Sequence, residues 1–539
     1  MTLSNFICAL IAALAIIVTA LGSYETDRTT DTLVKGCDPF GYSRMADAIR
    51  TARASGASPD FFIHDDQTRW LIAKFKENHL PVSDWSEAVT THAHHYFPGT
   101  DQVGPQYPPG TGWVMSLFPK DGAVMDLDQL SIILLVVGGI LILVWCATNG
   151  LPMSCLMVAG AVTAFLSPYQ WIFSSSYSIN ATIFPLFLGI LLAWFAAKSR
   201  RQLTSAIFAL GSGILFGLLI QTRIASVLFL PAILLIFLPG KIRLVFWYLI
   251  GVVLNGILPV LLHNKTITGN FFGMTYSKSD SRQELGCIYK NSLHYYSHFS
   301  DSAGYYVLGL FLGLLLFVTV IFVTSRKGNS GWKSWMKSHY GLVASPFVAF
   351  VITIAYFLTH YVTTPYYLVP GMLGVCLLLA LLFVAIETHW CKTVGNSTLG
   401  RSVRHLGAIP TALIAMVVMT IFRPSLVETL DGIFKIPSQS VATLDVPPEL
   451  LKPNAWIWAD NYSSSVVYYT AHPAFKMTFA SPELRKRVFG WIKDKGDTQY
   501  LVIDCDSMHT VMSEAQAFGA KLTPVGYIRE APCYKLDMP

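Results

Sequence analysis

Long apolar stretches alternate along this chain with short charged ones, and the alternation predicts a bundle of membrane-crossing helices. A helix needs about 20 mostly apolar residues to cross the hydrocarbon core of a bilayer. Runs of that kind fall near 5–23, 129–148, 152–172, 178–197, 205–222, 224–238, 243–262, 304–324, 341–360, 366–386 and 405–423, which makes about eleven expected spans. The two that flank Arg223 are short. Backbone groups in lipid must be satisfied within their own segment, so spans this apolar must be helices. Charges collect at 24–105, 263–302, 325–338, 387–404 and 434–539 and almost vanish between those blocks.

Composition strengthens the picture. The 539 residues are 53% hydrophobic and 13% charged, about half the charge of an ordinary soluble domain. The formal charge of +6 would suit a nucleic-acid partner, but no basic groove or aromatic–basic motif accompanies it, and none is expected. The lysines and arginines read instead as orientation signals. Lys198, Arg200 and Arg201 follow the fourth span, Lys241 and Arg243 the sixth, Arg326, Lys327, Lys333 and Lys337 the eighth, and Lys392, Arg401 and Arg404 the tenth. Every second loop is basic, which puts those loops and the N-terminus in the cytoplasm. Loops 24–128, 173–177, 263–303 and 361–365 and the tail 424–539 then lie outside. The first span ends Ala20-Leu21-Gly22-Ser23, as a cleaved signal would. It lacks a basic leader, and it is read as a retained span that holds loop 24–128 against the membrane. No organelle address is visible, and a bacterial inner membrane with a periplasmic tail is expected.

The chain therefore divides into a transmembrane domain over 1–423, with outer loops 24–128 and 263–303, and an extracytoplasmic α/β domain over 424–539. Loop 24–128 is too long for a simple connector. Two short amphipathic helices are expected in it, Pro39 to Ala54 and Gln67 to Phe75, both suited to a membrane surface. In the tail, Ala455–Ala459, Val466–Thr470, Tyr500–Asp504 and Leu522–Ile528 read as strands. Pro482–Lys495 and Met508–Phe518 read as helices, with Ser481 capping the first. The tail carries no catalytic or nucleotide motif, and support or acceptor docking is its expected role. Four cysteines fall outside, and Cys37 with Cys287 and Cys505 with Cys533 are possible pairs in an oxidising compartment.

Several residues on the outer side carry candidate chemistry. Asp38, in Cys37-Asp38-Pro39-Phe40-Gly41-Tyr42-Ser43-Arg44, stands just before the first amphipathic helix. A carboxylate at a helix N-terminus stays ionised and can accept a proton, although the same placement also serves a simple cap. His64-Asp65-Asp66 and His92-Ala93-His94-His95, with Asp101 close behind, are dense enough to bind a divalent ion or position a phosphate. Asp65, Asp101, His94 and His95 are thus secondary candidates; no spacing matches a zinc signature. No cofactor is certain. Arg223 lies between two apolar spans, where an arginine is costly unless paired. With Lys278 and Arg282 it could form a phosphate clamp.

Together these segments resemble the C-type membrane glycosyltransferases, the group that includes dolichyl-phosphate-mannose protein mannosyltransferases and lipid A aminoarabinose transferases. Asp38-Pro39-Phe40-Gly41-Tyr42 is similar to the family's acidic-Pro-x-x-Tyr stretch, and Tyr107-Pro108-Pro109-Gly110 to the Pro-Pro segment that closes the first outer loop. Thr222-Arg223, Gly269 to Tyr276, and Tyr366-Tyr367-Leu368-Val369-Pro370 resemble later motifs, but Pro365 or Tyr366 stands where the family has arginine. The resemblance implies transfer of a sugar from a polyprenyl-phosphate donor to a lipid, glycan or protein acceptor at the outer face, with inversion and with Asp38 as general base. A transporter or flippase of lipid-linked glycans is the alternative. Transporters commonly show internal repeats and polar sites in mid-membrane, and neither is evident here.

Overall fold

The computed structural model describes residues 3–29, 37–88, 90–118, 123–166, 177–238, 241–276, 282–300, 330–361, 367–393 and 444–539. In chain order the elements begin with α1 (Leu3–Thr29), α2 (Cys37–Ser55), α3 (Asp66–Glu77), α4 (Val82–Trp85), β1 (His94–Phe97), β2 (Gln102–Pro105) and α5 (Gly110–Met115). The apolar helices follow: α6 (Ala123–Thr148), α7 (Pro152–Leu166), α8 (Tyr177–Lys198), α9 (Gln202–Thr222), and a 3-10 turn Ile224–Phe229 that runs into α10 (Leu230–Phe237). Next come α11 (Ile242–Thr268), α12 (Ile288–Ser300), α13 (Ser330–Thr359) and α14 (Val369–Thr393). The tail holds β3 (Ala455–Trp458), α15 (Asn461–Thr470), β4 (Ala474–Phe475), α16 (Pro482–Lys495), β5 (Thr498–Val502), α17 (Asp506–Ala517), β6 (Lys521–Ile528) and β7 (Ala531–Asp537).

By packing, the chain forms two compact units, one of Met1–Thr30, Met125–Pro259 and Lys278–Ser438, the other of Asp31–Val124, Val260–Ser277 and Gln439–Pro539. In the first, six helices among the described residues are long and apolar enough to cross a membrane, with three shorter apolar helices at Asn5–Leu21, Pro152–Thr163 and Ile224–Phe237. The chain is an integral membrane protein. Nine of the expected spans coincide with these helices; those at 304–324 and 405–423 lie outside the described residues. The apolar window of α14 is buried throughout, against 28% for α11, so α14 is central and α11 peripheral. Helices α9 and α11 approach closely because Gly213 and Gly217 face Tyr248 and the Asn255–Gly256 backbone, where any Cβ would collide. Small residues four apart let helix backbones meet in this way.

The second unit explains why loop 24–128 is so long. Its tail forms a five-stranded sheet in the order β4-β3-β5-β7-β6, parallel across β4, β3 and β5 and antiparallel across β7 and β6. Successive strand residues face opposite ways. Ala455 and Ile457 therefore join a core with Tyr462 and Val466 of α15, while Trp456 and Trp458 join a second core with α16 and α17. That second core also takes Leu71, Ile72 and Phe75 of α3, together with Trp85 and Tyr96. The apolar face of α3 is thus covered by the tail domain rather than by lipid. A short amphipathic helix carries the same pattern for either partner.

One expectation in the tail needs correction. Val466–Thr470 is helical, because β-branched and aromatic residues describe a half-buried surface rather than a strand as such, and here Tyr462 and Val466 meet the sheet from a helix. None of the nine cysteines is in a disulfide, so neither possible pair, Cys37 with Cys287 or Cys505 with Cys533, is formed. Ser481 does cap α16, accepting from the Leu484 amide at 3.2 Å.

Candidate active site

Helix α2 begins at Cys37, with Asp38 in its first turn and Pro39 next, a position where proline loses no helical hydrogen bond. Its buried face carries Phe40, Tyr42, Met45, Ala46 and Ile49. Arg50 fixes α2 to α5, donating to the carbonyls of Met115 and Phe118 at 2.8 and 3.0 Å. This brings the turn after β2 over the start of α2. Gly41 makes room for it: a Cβ there would stand 2.7 Å from the Tyr107 ring and from the Ala93 Cβ.

The consequence is a hydrogen bond between two segments far apart in sequence. The buried Tyr107 hydroxyl donates to Asp38 Oδ1 at 2.5 Å and lies 3.0 Å from Cys37 Sγ. Burial and the neighbouring Asp38 and Cys37 push the Tyr107 phenol well above its ordinary value, so it stays a neutral donor. A third segment joins them. His263 bonds the Tyr107 carbonyl at 3.0 Å, Thr275 donates to the Gln106 carbonyl at 2.9 Å, and the Tyr276 ring stands edge-on to Tyr107 at 6.0 Å.

Around this turn lie the histidines. His92 Nε2 is 2.5 Å from Asp460 Oδ1. Burial alone would lower the imidazole, but its bonds to Asp460 and Cys37 outweigh burial and raise it to about 9. Asp460 is raised by burial and lowered more by His92, to about 2. The two are therefore an ion pair at neutral pH, with Lys476 acting against the histidine charge. His94 and His95 are neutral, both lowered to about 3, first by burial and then by Arg44 in one case and Lys476 in the other. His94 Nδ1 faces the His92 carbonyl at 3.0 Å, so its Nε2 is the bare nitrogen; His95 Nε2 donates to Gln106, leaving Nδ1 bare. Both bare nitrogens are buried without a partner. Adjacent strand residues point to opposite faces, so the two do not converge as ligands.

The remaining candidates on this unit have other tasks. Asp65 is the N-cap of α3 and accepts from the Thr68 amide at 2.7 Å. Asp101 is exposed in the turn between β1 and β2, paired with Lys76 and accepting from Tyr96 at 2.7 Å. Those two bonds lower its carboxyl. Among the described residues no three His, Cys, Asp or Glu side chains gather as a metal would require.

On the membrane unit, Arg223 interrupts the helix: α9 ends at Thr222, Arg223 is extended (φ −155°, ψ 106°), and the 3-10 turn follows. Its guanidinium lies 4.7 Å from the centre of the Tyr367 ring, a cation–π contact that helps hold a charge among apolar helices. A small cavity here is lined by Arg223, Ser226, Thr353, Phe357 and Tyr367. Arg282 is exposed, pairs with Glu284 and faces the Tyr361 ring at 5.5 Å. Lys278 lies outside the described residues.

No family model matches the chain, and no curated protein matches it. Solved structures do. The crystal structure of ArnT from Cupriavidus metallidurans in the apo state is 13% identical, with a TM-score of 0.46, over 98% of this chain and 97% of that one. The same protein bound to undecaprenyl phosphate is also 13% identical, with a TM-score of 0.44, over 99% and 98%. This chain is similar to ArnT. That is one of the aminoarabinose transferases, the group its outer motifs resemble.

The sequence motifs carried Asp38 and the Tyr107 segment, but not the partners of His92. Asp460 stands 368 positions away from it, in a run with no motif of its own. Cys37 and Gln106, which border Asp38 and Tyr107, could have been singled out as neighbours of those motifs.

Proposed function

We propose that the protein is a membrane glycosyltransferase that moves a sugar from a polyprenyl-phosphate donor to an acceptor hydroxyl on the extracytoplasmic face, with inversion and with Asp38 as general base. The observation that carries this reading is the hydrogen bond from Tyr107 to Asp38 Oδ1, 2.5 Å long, which joins the two motif segments at the start of α2. A neutral phenol held on one carboxylate oxygen orients the group, and the helix N-terminus favours its ionised form. In the proposed step the acceptor O–H proton passes to Asp38 as the acceptor oxygen bonds to the anomeric carbon. The bond from that carbon to the phosphate oxygen breaks, and the lipid phosphate leaves with the electron pair. Arg223 and Lys278 are the proposed partners of that phosphate, and Arg282 would join them on release from Glu284. Preplaced cations at a developing charge lower such a barrier.

The test uses the purified full chain in lipid nanodiscs with radiolabelled polyprenyl-phosphate sugars and a panel of lipid, glycan and peptide acceptors. Transfer by the wild type and none by Asp38→Asn, at equal folding, supports the reading. Normal transfer by Asp38→Asn removes Asp38 as the base.

A further inference from the structure

Cys37, one residue before Asp38, is bordered by three polar groups. Gln106 Nε2 donates to its sulfur at 3.1 Å, the Tyr107 hydroxyl lies at 3.0 Å, and the ring of His92 is close enough to act on it. The far nitrogen of that ring meets Asp460 Oδ1 at 2.5 Å. Asp460 is itself held: its Oδ2 accepts from Ser507 at 3.0 Å and Cys505 at 3.4 Å, and its amide donates to Asp504 at 3.2 Å. Asp504 in turn accepts from the Tyr462 amide at 2.5 Å, at the start of α15. A line of bonds therefore runs from the end of β5 to His92, whose ring stands beside the first turn of α2.

We propose that Asp460, acting through His92, is a positioning residue for Asp38, so that the C-terminal domain completes the site. This rests on the reading of Asp38 as the base. A carboxylate behind an imidazole fixes its tautomer and its ring plane. Here it also fixes the ring charge, and the charged ring acts on the neighbouring Cys37. With Gln106 and Tyr107, the imidazole sets the sulfur and hence the backbone that carries Asp38. The side chains of His92 and Asp460 are only 13% and 15% exposed, so solvent screens the pair little. The groups facing His92 are Asp460 and Cys37, which favour its proton, and Lys476, which opposes it. The sign follows from the raised value: the charged ring is complete below the ordinary imidazole range and is lost as pH rises through about 9.

The full chain in nanodiscs provides the test. Asp460→Asn and His92→Gln should lower kcat about tenfold with KM changed less than twofold, and Asp460→Glu should recover part of the loss. The alkaline fall in transfer, near pH 9 for the wild type, should move in Asp460→Asn toward the ordinary imidazole value of about 6.5. A merely structural clasp would lower transfer equally at every pH. An unchanged kcat with an unmoved alkaline limb would overturn the proposal. A second measurement needs no sugar donor: the rate at which a maleimide labels Cys37, located by peptide mass. It should rise severalfold in both variants at unchanged Tm. Labelling that stays at the wild-type rate overturns the link. Wild-type protein that transfers nothing, yet shows this His92-dependent labelling, sinks the reading of Asp38 as base and leaves the Asp460–His92–Cys37 linkage standing.

Discussion

Glu387 and Asp38 both sit at helix N-termini, and their surroundings differ. Glu387, on the central helix α14, is fully buried. It accepts from the amides of Met153 and Ser154 at 3.2 and 2.7 Å, and from the Ser154 hydroxyl, at the first turn of α7. Asp38 is half-buried in the first turn of its own helix, beside a tyrosine hydroxyl and a cysteine. The helix N-terminus favours negative charge at both places. Glu387 spends its acceptor capacity on backbone donors of a packed bundle and ties two spans together. Asp38 keeps contact with solvent and accepts from the Tyr107 side chain. The contrast separates a carboxylate that builds the scaffold from one that the proposed mechanism uses to exchange a proton.

The largest expected effect tests the second half of that contrast. Asp38→Asn keeps the shape of the side chain and removes the base, so transfer should fall by about 10²–10⁴-fold with Tm unchanged, as measured by single-turnover assay and thermal melting. Glu387→Ala should do the reverse. It leaves two amides and a hydroxyl without their acceptor inside the bundle, at about 1–3 kcal/mol for each unsatisfied group. The melting temperature in nanodiscs should drop by several degrees, while protein that remains folded transfers at the wild-type rate. A large loss of kcat in folded Glu387→Ala would mean that the two carboxylates are not divided in this way. Tyr107→Phe stands between them. It removes one neutral donor to Asp38, and about tenfold is expected in kcat, equivalent to about 1.4 kcal/mol.

The same contrast explains what could be read from the sequence. Spans are legible because the bilayer imposes a length and a polarity on each one, and α6, α8, α9, α11, α13 and α14 obey that rule. Helices α2 and α3 were visible from their periodicity, yet the partner of α3 was not, since lipid and a protein core select the same apolar stripe. Asp38 and Tyr107 were each carried by a motif, but their contact was not. Glu387 had no sequence signal beyond being an acid in an apolar run. The roles of Asp65 and Asp101 depended on which amide or amine stood nearby, and density of His and Asp along the chain does not encode that. Strands in the tail were found at β3 and β5, which are buried nearly throughout, and at β6. They were missed at β4, only two residues long, and at β7, where proline and cysteine obscure the pattern.

The smallest effect sharpens the comparison from its quiet side. Asp65 is a third carboxylate at a helix N-terminus, and its geometry is that of a cap: extended backbone (φ −72°, ψ 152°) and a 2.7 Å bond from the Thr68 amide. Loss of such a cap costs about 1 kcal/mol. Asp65→Ala should therefore lower Tm slightly through fraying of α3, whose Leu71 and Phe75 lie in the core shared with the tail sheet. The rate of transfer per folded molecule should stay the same, because the amide that Asp65 caps belongs to Thr68 of α3 rather than to the Asp38 turn. Asp65→Asn, which keeps a capping oxygen, should recover most of the stability. If instead kcat fell tenfold in Asp65→Ala and stayed low in Asp65→Asn, the charge rather than the cap would matter. Asp65 would then belong with Asp38 rather than with Glu387.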